Sequence, residues 1–313
     1  MGLRISIAFL LVLLMVFPQA VGGSTEMERF FHSGDGFIHL IGEKNGRIFS
    51  GRYRTGQGRY DEKAYEKISA LFGAPYRSKQ RILSLRLIEF LDFLEDRLKP
   101  GGAIIITSGY RAPQYNTKLR RKGALAAKAS LHQYGMAADV ILKGVSSKRV
   151  WDYVRSLGFG GTGYYHGRTV HVDVGPARFW DEKSSGVGTG LSDDNKLIGL
   201  VTDYDIYKPA ETLTLRFIRM TAFPIKVHAE FAWGPARGEG RSAGEVIFTP
   251  QTLIAHAGKC MTFETIDEMA ALQWSLPTNA APGKYRIRVR FCDNPWPDMP
   301  AEVITPEFEI RSP

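Results

Sequence analysis

The stretch Ser130-Leu131-His132-Gln133-Tyr134-Gly135-Met136-Ala137-Ala138-Asp139, and further along Thr169-Val170-His171-Val172-Asp173-Val174, decide how this chain is read. In the first, Gly135 permits a tight turn. Asp139 then stands at the head of the apolar run Val140-Ile141-Leu142. A carboxylate entering a buried strand is costly unless something pairs with it, and a divalent metal would. In the second stretch, strand alternation puts the three valines on one face and His171 and Asp173 on the other. Two imidazoles and a carboxylate suit one zinc ion per chain with a coordination position left open. Asp173 is placed either to orient His171 through a hydrogen bond or to act on substrate.

Upstream of this pair the pattern is helical. Asp61 to Phe72 places Tyr65, Ile68, Leu71 and Phe72 on one face, ended by Gly73. Ser84 to Leu98 carries a broad apolar stripe, stopped by Pro100-Gly101-Gly102. Ala103 to Thr107 reads as a buried strand, and Ser147 to Leu157 as a further helix. Nearer the start, Phe37, His39 and Ile41 alternate, Lys44-Asn45-Gly46-Arg47 is a turn signal, and 48–53 reads as a returning strand. Beyond residue 197 the texture changes. Alternating segments at 212–218, 225–233, 245–248, 284–291 and 307–310, separated by Pro and Gly, predict an all-β unit.

The first residues resemble a secretory signal: a basic start ending at Arg4, an apolar run over 5–17 broken only by Ser6, then small residues. That run is short of the ~20 residues of a membrane span, so no stable membrane insertion is expected once the signal is removed. An uncleaved anchor is the alternative. Export implies an oxidising compartment, where Cys260 and Cys292, the only cysteines, either form a disulfide or remain as two buried thiols. The net charge of +9 favours anionic polymers. Outside the cytoplasm nucleic acid is a poor candidate, and peptidoglycan a better one.

The pattern Ser-x-His-x-x-Gly-x-Ala-x-Asp followed by His-Val-Asp resembles the zinc D-Ala-D-Ala metallopeptidases, the group that also takes in lysostaphin-type and hedgehog-type domains. The match is closer to the MepK-like murein endopeptidases. It runs over roughly 80–180 through Ser108-Gly109-Tyr110-Arg111-Ala112-Pro113, Asn116, Leu119-Arg120, the two stretches above, Gly163-Tyr164-Tyr165 and Gly175. The resemblance implies that His132, Asp139 and His171 hold zinc. It also implies that Arg111 contacts substrate or a developing oxyanion, the alternative being a structural arginine in a turn. Some relatives carry a catalytic His five residues before the last ligand, which is His166 here. Asp173 competes with His166 as general base, and His166 is otherwise a loop residue. Tyr164, Tyr165 and Trp180 would line a substrate cleft or belong to the core.

The implied fold is α+β: a small zinc-peptidase unit with a central antiparallel sheet and flanking helices, then an immunoglobulin-like sandwich. The expected divisions are a signal at 1–22, a β/α extension at 23–75, the peptidase at 76–182, a linker at 183–196 and the β unit at 197–313. The expected function is that of a periplasmic or cell-envelope zinc metallopeptidase, cutting stem peptides or cross-links of peptidoglycan. The alternatives are a D-Ala-D-Ala carboxypeptidase and a non-catalytic wall-binding protein that keeps the fold. The partner of the C-terminal unit is not legible in the sequence.

Overall fold

In a computed structural model, residues 28–55, 58–76, 81–114, 129–184, 194–236, 245–269 and 271–312 are described. The expected signal, Asn116, Leu119-Arg120 and most of the expected linker lie outside them.

The first half is built on one seven-stranded sheet. Its strands are β1 (Phe37–Gly42), β2 (Ile48–Arg52), β5 (Ile104–Ser108), β6 (Ala137–Leu142), β7 (Gly161–Tyr164), β8 (Val170–Asp173) and β9 (Arg178–Asp181). A small hairpin of β3 (Arg54–Thr55) and β4 (Arg59–Tyr60) stands apart from it. The order across the sheet is β2-β1-β5-β6-β8-β7-β9. The β1–β5 and β7–β9 pairs are parallel and the others antiparallel, so the sheet is mixed where an antiparallel one was expected. The β1–β5 pair is parallel because α1 and α2 lie between β1 and β5 in the chain and carry it back to start β5 alongside β1, and β7 and β9 are parallel because β8, between them in the chain, is the return strand. The strands of the segment expected as a 23–75 extension are therefore members of the sheet that carries the two His stretches.

The helices are α1 (Glu62–Phe72), α2 (Leu85–Leu98) and α3 (Ser147–Leu157). Asp61 caps α1 by accepting from Ala64 N, and Gly73 ends it at φ 72°. Ser146 and Gly158 do the same for α3. α2 holds more than its apolar stripe. Arg86, Glu89, Asp92 and Glu95 are buried on it as well. Tyr60 donates to Glu89 at 2.9 Å, and Tyr53 and Gly36 N donate to Asp92 at 2.7 and 2.9 Å. Burial pushes the Asp92 carboxyl up to about 7.

The second half is β-rich. A three-stranded sheet holds β10 (Gly199–Thr202), β12 (Thr212–Ile218) and β16 (Leu272–Ser275). A larger sheet holds β11 (Ile206–Tyr207), β13 (Ile225–Pro235), β14 (Val246–Phe248), β17 (Gly283–Phe291) and β19 (Phe308–Ile310), with β15 (Cys260–Phe263) on β13 and β18 (Glu302–Ile304) on β17. Alternate side chains of the two sheets meet: Phe217 with Phe291, and Trp274 with both Trp233 and Phe248. Cys260 and Cys292 are joined in a disulfide, which ties β15 to the end of β17. Among the described residues no helix is long and apolar enough to cross a membrane.

The halves are joined by polar contacts, one of them buried. Arg86 of α2 pairs with Asp205 at 2.7 Å, and Arg29 pairs with Glu211 at 2.6 Å. Within the expected linker, Asn195 is fully buried and bonds through its side chain to Thr221 N and Ala222 O.

The disulfide bridges a sequence separation of 32. Loop-closure entropy for a bridge of that span is worth about 3–4 kcal/mol. Reduction, or the double change Cys260→Ser and Cys292→Ser, is expected to lower unfolding stability by that order in urea titration.

Candidate metal centre

One lateral row across the sheet organises the site. Ser108 of β5 stands opposite Asp139 of β6, Asp139 opposite His171 of β8, His171 opposite Gly163 of β7, and Gly163 beside Trp180 of β9. Residues paired across neighbouring strands project to the same face. The row therefore sets a carboxylate and an imidazole side by side, and the Asp139 Oδ1 to His171 Nδ1 distance is 3.0 Å. Gly163 is needed here, because a Cβ at that position would come within 2.3 Å of the Trp180 ring. The space it leaves lets the indole lie against His171, with ring centroids 4.8 Å apart.

His132 comes from a different element, the single 3-10 turn Leu131–Tyr134 that precedes β6. Gly135 ends that turn at φ 62° and packs on the Ile82 and Leu83 backbone, where a Cβ would meet Ile82 O at 2.3 Å. His132 Nδ1 bonds the Gly109 carbonyl at 2.7 Å, which turns Nε2 toward Asp139, 3.5 Å away. His132, Asp139 and His171 each offer a ligand atom, all within 4.8 Å of one another, and all three residues are buried. The donor chemistry fits a divalent metal. Each ring has one nitrogen committed to an orienting partner and the other turned to the carboxylate. The group His228, Cys260 and Cys292 also clusters, but its two sulfurs are bonded to each other.

Electrostatics follow the same arrangement. Burial lowers the His132 pKa, against the pull of the nearby Asp139 carboxylate. Burial also acts to lower His171, but its hydrogen bonds to Asp139 and Asp173 outweigh it and the net shift is upward. Burial acts to raise the Asp139 carboxyl, yet its interactions with His132 and His171 outweigh it and hold the carboxyl well below the usual range.

Arg111 sits beside the site. Its Nη2 donates to Asp139 Oδ2 at 2.6 Å and its Nε to Ser108 Oγ at 3.0 Å. Tyr165 reaches the same carboxylate, donating to Oδ1 at 3.2 Å. Burial and the neighbouring Asp139 raise the phenol's pKa, so it is a donor at neutral pH.

Three expected roles do not match the geometry. Tyr164 packs on Trp151 of α3, and His166 packs on Tyr164 with centroids 4.3 Å apart. Alternation puts Tyr164 on the helix-covered face, opposite the face of Gly163 and the metal row. His166 Nε2 is held by Asp181 at 2.6 Å. His166 is thus a salt-bridged loop residue and not a base over the cluster, and Tyr164 is not positioned to line the site. Asp173 is on the correct face but fully buried behind His171. Its Oδ2 accepts from His171 Nε2 at 3.0 Å and from Arg178 at 2.7 Å, and its Oδ1 accepts from Gly175 N at 2.9 Å. Burial alone would raise its pKa, but the Arg178 charge and the His171 bond bring it down to about 2. A carboxylate so acidic and so fully engaged orients its neighbour and is a poor proton acceptor. Neither the Gly109 carbonyl nor Arg178 was legible as part of the site. One is a backbone atom, and the other lies in a Pro-Ala-Arg turn with no distinguishing pattern.

Residues 36–180 match the family described as peptidoglycan L,D-endopeptidase MepK. That stretch of the chain is similar to this family. The peptidoglycan L,D-endopeptidase MepK of Escherichia coli (strain K12) is 29% identical over 136 residues, 43% of this chain and 74% of the relative. The protein of the same description from Shigella flexneri aligns equally. A probable peptidoglycan L,D-endopeptidase MepK of Haemophilus influenzae is 40% identical over 78 residues, 25% of this chain and 42% of the relative. The β-rich half beyond residue 180 falls outside the family match.

Removing one partner from a buried ion pair leaves the other uncompensated, at a cost of about 3–5 kcal/mol. Asp173→Ala is expected to destabilise the metal-free protein by that order at pH 7 in urea unfolding. Because the folded pKa is depressed to about 2, this stabilisation is present above the unfolded carboxylate range and is lost as pH falls through the folded value. The gap between variant and wild type should therefore close as pH drops from about 4 toward 2.

Proposed function

We propose that this chain is an exported zinc-dependent peptidoglycan peptidase that hydrolyses an amide bond in murein stem peptides or their cross-links. The observation that carries the reading is the convergence of His132, Asp139 and His171 within 4.8 Å, each oriented by a partner from behind. The name of the relatives favours an endopeptidase acting at a bond between an L- and a D-residue. The match of residues 36–180 to that family, the buried site and the basic charge all support a wall substrate.

In this reading His132 Nε2, His171 Nδ1 and an Asp139 oxygen hold the metal. Zinc, when bound there, supplies the Lewis acidity that brings the pKa of a water to ~7 and polarises a scissile carbonyl. The surrounding residues prepare that site. The Gly109 carbonyl and Asp173 fix the two rings so that each presents one lone pair. Arg111 and Tyr165 hold the Asp139 carboxylate from its two oxygens. As hydrogen-bond donors beside the cluster, both also suit a substrate carboxylate or an oxyanion. Trp180 covers His171 on the strand side and excludes water there.

The Cys260–Cys292 disulfide supports an oxidising compartment and thus a periplasmic or envelope location. We take 36–184 as the peptidase unit and 197–312 as the β unit, packed as a sandwich that resembles the immunoglobulin type.

Digestion of purified sacculi, with muropeptide analysis of what is released, tests the reading. Wild type should release new peptides. His132→Ala and chelator-treated enzyme should lose at least a hundredfold, on the order expected when a metal that supplies several kcal/mol of transition-state stabilisation is removed. His166→Ala should retain activity, since that ring is held by Asp181 away from the cluster. Equal release by wild type and His132→Ala would contradict the proposal.

Metal binding requires deprotonated ligands. Because the His171 pKa is raised in the metal-free fold, protons compete for it at a higher pH than for an ordinary imidazole. Zinc affinity should therefore fall steadily as pH is lowered from 8 to 5, and zinc uptake near pH 6 should release protons. A pH-independent dissociation constant over that range would exclude imidazole ligation.

A further inference from the structure

The turn that carries His132 is held from outside the peptidase half. Tyr134, two residues past His132 and fully buried, has its hydroxyl bonded by Met220 N at 2.9 Å, just beyond β12 of the C-terminal half. Arg216 of β12 donates through Nη1 to the Tyr134 carbonyl at 2.9 Å, and its guanidinium lies 6.0 Å from the Tyr134 ring centroid. Both ends of Tyr134, side chain and backbone, are thus fixed by one strand of the β-rich half. From the peptidase half the backbone of the turn is bonded by Ser84 N to Gly135 O at 2.9 Å and by Arg111 N to His132 O at 3.1 Å.

The packing beside this turn is not continuous. Met136 and Arg216 line a cavity of about 320 Å³ between the halves, along with Ser84, Arg86 and Thr214. Space of that size beside a turn leaves it room to shift. The hydrogen bonds to Tyr134 help set its height against β6 from the β-rich side. His132 is the one metal-cluster residue not on the sheet, so its position relative to Asp139 and His171 depends on this turn.

We propose that the C-terminal β half is a working part of the metal centre, in which Arg216 and the Met220 backbone act through Tyr134 to position His132. Tyr134 and Arg216 are positioning residues and touch no substrate. The proposal rests on the reading of His132, Asp139 and His171 as metal ligands. It assigns the β half a function that the family match, which ends at residue 180, does not cover.

The test uses the full chain. Zinc dissociation constants are measured by competition with a chromophoric chelator for wild type, Tyr134→Phe, Arg216→Met, Arg216→Lys and Arg29→Met, each also melted in its metal-free form. Arg29→Met breaks a different ion pair between the halves, to Glu211, and serves as the control for general loosening. Tyr134→Phe keeps the buried ring and is the variant most certain to fold. Tyr134→Phe and Arg216→Met are expected to weaken zinc binding about tenfold, the lower end of what loss of an orienting partner costs a metal site. Arg216→Lys, which keeps a donor, should recover part of that loss, and Arg29→Met should bind zinc as wild type does. Folded Tyr134→Phe and Arg216→Met proteins with wild-type zinc affinity would overturn this inference alone. A wild type that binds no zinc would overturn both it and the metal reading beneath it.

Discussion

The pairing of Asp139 with His171 across β6 and β8 places a carboxylate oxygen 3.0 Å from an imidazole nitrogen inside a buried sheet. Two such groups cannot be left there without partners, because burial penalises every uncompensated polar atom. Much of the neighbourhood answers that requirement. Asp173 takes the far nitrogen of His171, Arg178 takes Asp173, and Arg111 and Tyr165 take Asp139. Gly163 makes room for Trp180 to close the row at its edge. The result is a chain of hydrogen bonds in which each group is fixed by the next and the near lone pairs are left facing one another.

His132 enters this sheet-borne constellation from a turn, and the turn is where the two halves of the molecule meet. A site with two members on rigid strands and one on a loop is only as exact as the loop's support. Here that support includes Arg216 and Met220 from the β-rich half, and the same interface carries the buried Arg86–Asp205 pair. The β half is therefore joined to the site by named contacts and is more than a tethered neighbour.

Much of this was legible in the sequence for physical reasons. Valines alternating with His171 and Asp173 announce a strand buried on one face, and the helices at 61–72, 84–98 and 147–157 carry both apolar periodicity and glycine or proline stops. The grouping of His132, Asp139 and His171 followed from residue types that share chemistry. What stayed hidden depends on long-range placement. The parallel joining of β1 to β5 comes from chain reversals that no local pattern encodes. The burial of Arg86, Glu89 and Asp92 has no local signal, since Tyr53, Tyr60 and Asp205, distant in sequence, are what make them tolerable inside. His166 seemed a candidate base because spacing from His171 is visible in sequence, whereas the sheet face on which it lies is not. Asp173 was ambiguous until both of its oxygens were seen to be occupied.

X-ray absorption spectroscopy of the zinc-loaded full chain, compared with His171→Ala, tests the central claim most directly. The account predicts a first coordination sphere of nitrogen and oxygen only, at about 2.0–2.2 Å with two imidazoles in the scattering, and loss of one imidazole in the variant. Sulfur scattering near 2.3 Å, or a spectrum unchanged by His171→Ala, would contradict it.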